Sequence, residues 1–247
     1  MKQTYFLSDL HLGAAYIADP KAHERKVVEF LRSIKDSADQ IFFLGDVLDY
    51  WYEYRTVVPR GYIRFFGALA ELVYAGVKIT WLTGNHDIWL FDYLRDEIGI
   101  TVIDGPLITE IGGKRFYLAH GDAVGKLTPG FKFIRSVFRN KLCQTLFSAI
   151  HPRWTVPFAH RWSSHSRANG TYEKPFDRAT DQFTLFALDH NRTNQAECAD
   201  FFIFGHRHIM EYYNIDEISA TVVILGDWIT HFSYAVYSNG NLLLKKL

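Results

Sequence analysis

The chain is poor in cysteine and has no long apolar run. Its only two cysteines, Cys143 and Cys198, lie in unrelated contexts. They argue against a disulfide framework or a thiolate metal site and favour a reducing compartment. No stretch of about 18 uncharged apolar residues occurs, so a membrane-spanning helix is not expected. Because a candidate strand begins almost at Met1, no signal peptide is expected either, and the sequence predicts a cytoplasmic protein.

The chain as a whole also lacks an excess of either charge. Its 27 Lys and Arg residues balance 27 Asp and Glu residues. This balance gives no electrostatic bias toward nucleic acid, and no nucleic-acid partner is expected. The 247 residues are 48% hydrophobic, which allows a large core, and we predict one domain spanning residues 1–247.

One segment departs from this balance. Residues 123–172 contain eight Lys or Arg residues and no Asp or Glu. Interleaved aromatic residues are Phe131, Phe133, Phe138, Phe147, Trp154, Phe158, Trp162 and Tyr172. Such segregation predicts an inserted, largely helical element with an anionic partner of its own.

Apolar patterns predict alternating strands and helices along most of the remaining chain. Strands are expected after residue 4 and at 40–44, 77–82, 107–111, 115–118 and 201–204, with several more in 211–246. Helices are expected at 23–35, 62–74, 89–98, 131–150, 158–167 and 177–190. This order predicts a mixed α/β fold.

Five of the predicted strands end in polar clusters. The clusters are Asp9-x-His11, Gly45-Asp46-x-x-Asp49, Gly84-Asn85-His86-Asp87, His120-Gly121-Asp122 and Gly205-His206-x-His208. In open α/β sheets, sites form beyond the carboxyl ends of the strands. Carboxylate, imidazole and amide groups without a thiolate suit Mn²⁺, Fe or Zn²⁺. Two such ions about 3.5–4 Å apart can grip a phosphate and activate water.

As an ordered set, these clusters resemble the motifs of the calcineurin-like metallophosphoesterase family. The resemblance implies a four-layer αββα sandwich and a site for two divalent ions. Mn²⁺ is the expected ion, with Fe and Zn²⁺ as alternatives. It makes Asp46 the bridging ligand. It implies two further ligand sets, Asp9, His11 and His208 for one ion and Asn85, His120 and His206 for the other. A bridging hydroxide would attack phosphorus.

The resemblance also gives roles to residues beside the metal ligands. It places His86 outside the ligand set, where it would stabilise charge or protonate the leaving oxygen. It makes Asp49 and Asp87 residues that orient ligands and loops. The six remaining histidines are expected to be structural by default, and His165 is the candidate exception because it lies in the segment 123–172.

The insertion resembles that of the UDP-2,3-diacylglucosamine diphosphatase family. Matching segments are Gly130-Phe131-x-x-x-Arg135, Thr145-Leu146-Phe147 and the Ser166-Arg167 region. The resemblance implies a helical lid over residues 123–172 that receives acyl chains. Candidate substrate-binding residues are Phe131, Arg135, Phe147, Trp162, Ser166 and Arg167. The products would be UMP and 2,3-diacylglucosamine 1-phosphate.

The chain departs from that family at two places, which keeps other substrates open. His86 stands where the family often has Arg, and Leu127-Thr128-Pro129 replaces an acidic pair. The alternatives are another metallophosphoesterase, acting on a nucleotide, cyclic nucleotide or phosphoprotein, and an inert metal-binding interaction module. The basic, aromatic lid further predicts peripheral contact with the cytoplasmic face of the inner membrane.

Overall fold

Two β-sheets form the centre of the molecule. The computed structural model describes residues 2–125, 127–159 and 176–247. Within these ranges, one sheet has six strands and the other has five. No helix of the described chain is both long enough and apolar enough to cross a membrane.

The six-stranded sheet has the order β11-β10-β1-β2-β3-β4. Its strands are β1 (Gln3–Leu7), β2 (Ala38–Leu44), β3 (Lys78–Leu82), β4 (Thr101–Ile103), β10 (Ser233–Ser238) and β11 (Asn241–Lys246). Strands β1 to β4 run parallel, whereas β10 and β11 form an antiparallel extension. The carboxyl ends of β1, β2 and β3 therefore lie side by side at one edge.

The five-stranded sheet has the order β5-β6-β7-β9-β8. Its strands are β5 (Leu107–Ile111), β6 (Lys114–Ala119), β7 (Phe201–Phe204), β8 (Met210–Ile215) and β9 (Ala220–Leu225). The predicted turn at Gly112-Gly113 joins β5 and β6 as an antiparallel hairpin. Strands β6, β7 and β9 are parallel, which aligns their carboxyl ends as well.

Three hydrophobic clusters separate four layers. In β1, Tyr5 and Leu7 face one cluster and Phe6 faces another, because successive strand residues point to opposite sides of a sheet. The first cluster joins the six-stranded sheet to helices α1 (Pro20–Ser33) and α2 (Ile63–Tyr74), and the second fills the space between the sheets. A third packs Phe183 of helix α7 (Gln182–Thr193) against Phe204 of β7. The predicted αββα sandwich is thus confirmed.

The helices cover the two outer faces and form the insertion. They are α1 (Pro20–Ser33), α2 (Ile63–Tyr74), α3 (Tyr93–Ile98), α4 (Pro129–Arg139), α5 (Lys141–Ser148), α6 (residues 152–159 of the described chain) and α7 (Gln182–Thr193). Helix α1 begins where the Asp19 carboxylate caps its first turn and Pro20 supplies a favourable φ.

The insertion lies in the crossover between the parallel strands β6 and β7. A single helix over 131–150 was expected, but the chain forms α4 and α5 instead. Asn140 separates them, because its backbone is extended with ψ 122°. Its side chain accepts hydrogen bonds from the amides of Leu142 and Cys143 and so starts α5. We call α4, α5 and α6 the lid helices.

Candidate metal centre

Strand ends from both sheets meet at one site. Asp9 and His11 follow β1, Asp46 follows β2, Asn85 follows β3, His120 follows β6, and His206 and His208 follow β7. Five of these seven residues have left-handed backbone conformations, with φ of 55° at Asp9, 45° at His11, 53° at Asp46, 68° at His206 and 51° at His208. Strained conformations of non-glycine residues concentrate at functional sites, where the fold enforces them.

One group of potential ligands forms around Asp9. Its Oδ2 accepts hydrogen bonds from the Ser8 hydroxyl at 2.6 Å and the His206 amide at 2.9 Å. The other oxygen, Oδ1, lies 3.7 Å from Nε2 of His11 and 3.2 Å from Nε2 of His208. This oxygen is buried, and no described residue donates it a hydrogen bond of normal geometry. A cation would satisfy it, so the group fits a metal ion.

A second group forms around Asp46. Its Oδ2 lies 3.3 Å from Nε2 of His120 and 3.7 Å from Nε2 of His11. His206 belongs to the same group, in which ligand atoms lie within 4.8 Å of one another. Oδ1 of Asn85 is 3.1 Å from Nε2 of His120. Asp46 therefore lies between the two groups, as a ligand shared by two ions must.

Charges within the site keep its carboxylates ionised. Burial raises the pKa of Asp9, but contacts with His11 and His208 hold it well below the ordinary value. Burial opposes ionisation of Asp46 in the same way, yet the charge of His120 lowers the pKa of that carboxyl. Burial lowers the pKa of His120, and Asp46 raises it well above the ordinary value. Because a ligand imidazole must be neutral, a metal ion would replace the proton on His120.

Three of the imidazoles are oriented by a contact on the ring nitrogen that faces away from the ligand groups. In each, Nε2 faces a carboxylate of the site and Nδ1 faces an acceptor outside it. The pairs are His11 with Oδ1 of Asp49 at 3.3 Å, His120 with the Leu44 carbonyl at 2.8 Å, and His208 with Oδ2 of Asp227 at 3.3 Å. Such partners fix the ring orientation and the tautomer of metal-binding histidines.

Asp227 was missed in the sequence. Its Oδ1 accepts hydrogen bonds from the amides of Ile229 at 2.9 Å and His231 at 3.0 Å, which hold the carboxylate against His208. A signal was available, because Gly226-Asp227 follows β9 just as Gly45-Asp46 follows β2. His231, which was expected to be structural, lies with its Nδ1 3.3 Å from Oδ2 of Asp227, the oxygen that also faces His208.

Asp87 joins two of the strand-end loops. Its carboxylate accepts hydrogen bonds from the Val47 amide at 2.9 Å, the Gly84 amide at 2.7 Å and the Trp81 indole at 3.1 Å. Burial and the charge of Asp46 raise the pKa of Asp87. This residue lies behind the ligands and fixes the loops that carry Asp46 and Asn85.

Two glycines allow the loops to approach the carboxylates. A Cβ at Gly84 would lie 2.2 Å from Oδ1 of Asp46, and one at Gly205 would lie 2.5 Å from Oδ2 of Asp9. No side chain fits at such distances without moving the carboxylate. The Gly-Asn and Gly-His dipeptides therefore place Asn85 and His206 by allowing close backbone contact.

His86 lies at the edge of the site. Its amide donates to Oδ1 of Asp46 at 2.9 Å, and its Nδ1 is 3.0 Å from the Asp49 carbonyl. Its Nε2 lies 3.9 Å from Oδ2 of Asp46. His86 also forms a compact group with His11 and Asp46, so its position suits either a ligand or a proton donor. Its predicted place outside the ligand set stays a prediction.

An apolar cavity of about 340 Å³ opens beside His86. The body contributes His86 and Trp89 to its wall, and the lid helices contribute Phe133, Val137, Phe147 and Phe158. Asn85 also lines it, so the cavity reaches the group around Asp46, and Asp49, whose carboxylate contacts His11, lines it as well. An apolar cavity therefore lies next to a site suited to phosphate.

The predicted substrate-binding residues are placed differently from one another. Phe147 lies in the cavity wall, whereas Phe131 is half-buried outside it. The Arg135 guanidinium forms an ion pair with Asp122, which ties α4 to the loop after β6. The remaining three, Trp162, Ser166 and Arg167, lie outside the described residues.

Comparison with known families agrees with this site. A two-sheet sandwich with carboxylate, imidazole and amide groups at its strand ends offers ligands for two divalent ions, an arrangement that suits a metal-dependent phosphoesterase. The family model for Calcineurin-like phosphoesterase matches residues 3–210, and the chain belongs to this family. The protein is therefore a metal-dependent phosphoesterase that uses divalent ions.

Individual relatives extend the likeness over the whole chain. A UDP-2,3-diacylglucosamine hydrolase of Porphyromonas gingivalis is 41% identical, and the match covers 98% of this chain and 97% of that protein. A protein of the same name from Aeromonas hydrophila is 27% identical over 98% of both chains. A solved structure of an archaeal phosphodiesterase covers 99% of both chains with a TM-score of 0.50 and 14% identity, which shows the fold alone.

Proposed function

We propose that the enzyme hydrolyses the pyrophosphate bond of UDP-2,3-diacylglucosamine and releases UMP and 2,3-diacylglucosamine 1-phosphate. The observation that carries this proposal is the apolar cavity of about 340 Å³ beside Asn85 and His86. The wall of this cavity is mostly apolar, and acyl chains gain free energy when such a wall removes them from water. The names of the full-length relatives support the same substrate.

The two groups in the site support the proposed ligand sets. Asp9, His11 and His208 would hold one divalent ion, and Asn85, His120 and His206 the other, with Asp46 shared. The mixed oxygen and nitrogen donors suit Mn²⁺, Fe or Zn²⁺, and of these we propose Mn²⁺. When bound, such ions neutralise charge on a phosphoryl group and lower the pKa of water.

The protein groups around the ions then bind and orient the substrate. The cavity wall holds the acyl chains and excludes water from their surface. His86 is held through Nδ1 by the Asp49 carbonyl, which leaves its Nε2 for the phosphate side of the site. From there Nε2 stabilises developing charge or donates a proton to the leaving oxygen.

The lid also suits contact with a membrane surface. We place residues 123–172 as a lid insertion within a single domain. Its exposed apolar side chains include Phe133, Leu142, Leu146, Trp154 and Phe158. Exposed Lys132, Lys141 and Arg153 lie on the same helices. Because Phe133 and Phe158 also line the cavity, a lipid would enter from the surface that contacts anionic headgroups.

Turnover of two substrates by the Mn²⁺-loaded enzyme tests the proposal. We expect UMP and 2,3-diacylglucosamine 1-phosphate from the lipid-linked substrate, and slower hydrolysis of bis-p-nitrophenyl phosphate. Asp46→Ala should remove both activities. Hydrolysis of the diester alone would assign the enzyme to another substrate. Absence of both activities in metal-loaded protein would indicate an inert metal-binding module.

A further inference from the structure

The two loops that carry metal-ligand candidates continue into an aromatic junction. The loop after β2 includes residues 46–52, and the loop after β3 includes residues 85–89. Tyr52 and Trp89 pair as an isolated parallel β-bridge, and the Glu53 amide donates to the Trp89 carbonyl at 3.2 Å. The two loops are therefore joined just beyond the ligands.

A buried carboxylate fixes this junction. Glu53 is 6% exposed, and its Oε2 accepts hydrogen bonds from the amides of Asp92 at 2.9 Å and Tyr93 at 3.3 Å. Its Oε1 accepts from the Trp51 indole at 3.3 Å. The start of α3 is thus hydrogen-bonded to residues 51–53. These bonds restrict movement of the junction relative to the loops that carry Asp46 and Asn85.

The junction donates two hydrogen bonds to the lid helices. The Tyr52 hydroxyl donates to the Gln144 carbonyl at 2.6 Å, and the Trp89 indole donates to the Phe138 carbonyl at 3.0 Å. Phe138 is the penultimate residue of α4, where helix carbonyls lack partners within the helix. The Gln144 side chain donates to the same Phe138 carbonyl at 2.9 Å, which links α5 to α4.

Ring packing reinforces these bonds. The Phe147 ring lies 5.0 Å from Trp89 with an interplanar angle of 28°, and 5.1 Å from Tyr52. Trp89 also packs against Phe138 at 5.4 Å. The lid helices are therefore attached to the body through the loops that carry Asp46 and His86. A change in the position of the lid helices would alter the distance between the cavity and the phosphate site.

We propose that Tyr52 and Trp89 are positioning residues that hold the lid helices in register with the metal site. Their hydrogen bonds to the Gln144 and Phe138 carbonyls set where the acyl cavity ends relative to His86. The proposal deepens the function proposed above and rests on it for the identity of the substrate. The seating of the lid itself does not depend on that identity.

Hydrogen exchange of the full-length, Mn²⁺-loaded protein tests the seating directly. Tyr52→Phe keeps the ring and removes one hydrogen bond, so amides of α4 and α5 should exchange roughly threefold to tenfold faster. Trp89→Phe, which removes the other donor, should act in the same direction. The matched control is Tyr213→Phe, since the Tyr213 hydroxyl shares a buried 2.8 Å hydrogen bond with Thr184 away from the lid. Unchanged exchange in α4 and α5 would overturn the proposal.

A kinetic comparison separates positioning from stability. In Tyr52→Phe, kcat/KM for UDP-2,3-diacylglucosamine should fall roughly threefold to tenfold relative to that for bis-p-nitrophenyl phosphate. A residue that only stabilises the fold would leave this ratio unchanged, and that result would also overturn the proposal. If the wild-type enzyme ignores the lipid substrate, the proposed function fails, while the exchange experiment still decides the role of Tyr52.

Discussion

Nδ1 of His208 lies 3.3 Å from Oδ2 of Asp227, while Nε2 of the same ring lies 3.2 Å from Oδ1 of Asp9. Burial raises the pKa of Asp227, but its hydrogen bond to His208 lowers it below the ordinary range. The carboxylate is therefore ionised at neutral pH and favours the tautomer with the proton on Nδ1. Nε2 is then the unprotonated ring nitrogen, the form that binds a metal ion.

Asp227→Asn should weaken the affinity for Mn²⁺ by about 10- to 100-fold, because the amide no longer attracts the Nδ1 proton. Calorimetric titration of the metal-free protein measures this change. Asp216→Asn is the matched control, since Asp216 is exposed in the turn between β8 and β9. Equal metal affinity in Asp227→Asn and wild type would contradict the role given to this carboxylate.

His86→Ala should lower kcat by roughly 10²- to 10⁴-fold if Nε2 serves as a proton donor. Bound metal should stay at the wild-type level, which elemental analysis of the purified variant measures. The opposite result is informative, because Nε2 lies 3.9 Å from Oδ2 of Asp46. Loss of a metal ion would make His86 a ligand.

The mixed α/β fold and the meeting of strand ends followed from local sequence patterns, whereas the two-sheet sandwich was implied by the family resemblance. Continuous apolar runs such as 201–204 predict strands buried on both faces, and the polar residues after them had to meet at the sheet edge. Helix α2 was placed within one residue, since residues 62–74 were predicted and Ile63–Tyr74 is helical. Strong periodicity and buried strands leave few alternative arrangements.

The contacts between distant segments could not be predicted in this way. Arg135 stays a predicted substrate-binding residue, but its ion pair with Asp122 becomes visible only when α4 packs on the loop after β6. No sequence pattern marked Glu53, because its carboxylate accepts hydrogen bonds from backbone amides near α3, about 40 residues away. The end of α4 at Asn140 could not be predicted, because an asparagine side chain can either cap a new helix or face solvent within a continuous one. Here it caps α5.

Metal binding should also stabilise the fold, because the ligands converge only in the folded chain. At about 100 times the dissociation constant, a bound ion contributes about 2.7 kcal/mol, which raises Tm by roughly 5–10 °C for a protein of this size. Thermal unfolding with Mn²⁺, Zn²⁺ and Mg²⁺ measures the shift and ranks the ions. Asp46→Ala should lose most of the shift, and an equal shift in that variant would show that the ions bind elsewhere.

The cavity wall predicts unequal effects of two lid phenylalanines. Phe147 lines the cavity and stacks on Trp89, whereas Phe131 lies outside the wall. Phe147→Ala should lower kcat/KM for UDP-2,3-diacylglucosamine by about 10- to 100-fold, the loss expected for a buried aromatic contact.

Hydrolysis of bis-p-nitrophenyl phosphate should fall far less in Phe147→Ala, because contacts remote from the reacting phosphate matter only to a substrate that reaches them. Phe131→Ala is the comparison variant and should show the smaller loss on the lipid substrate. Equal losses on both substrates in Phe147→Ala would mean that this ring supports the fold and contributes no acyl contact. A larger loss in Phe131→Ala would place the acyl chains on the other side of α4, outside the cavity described above.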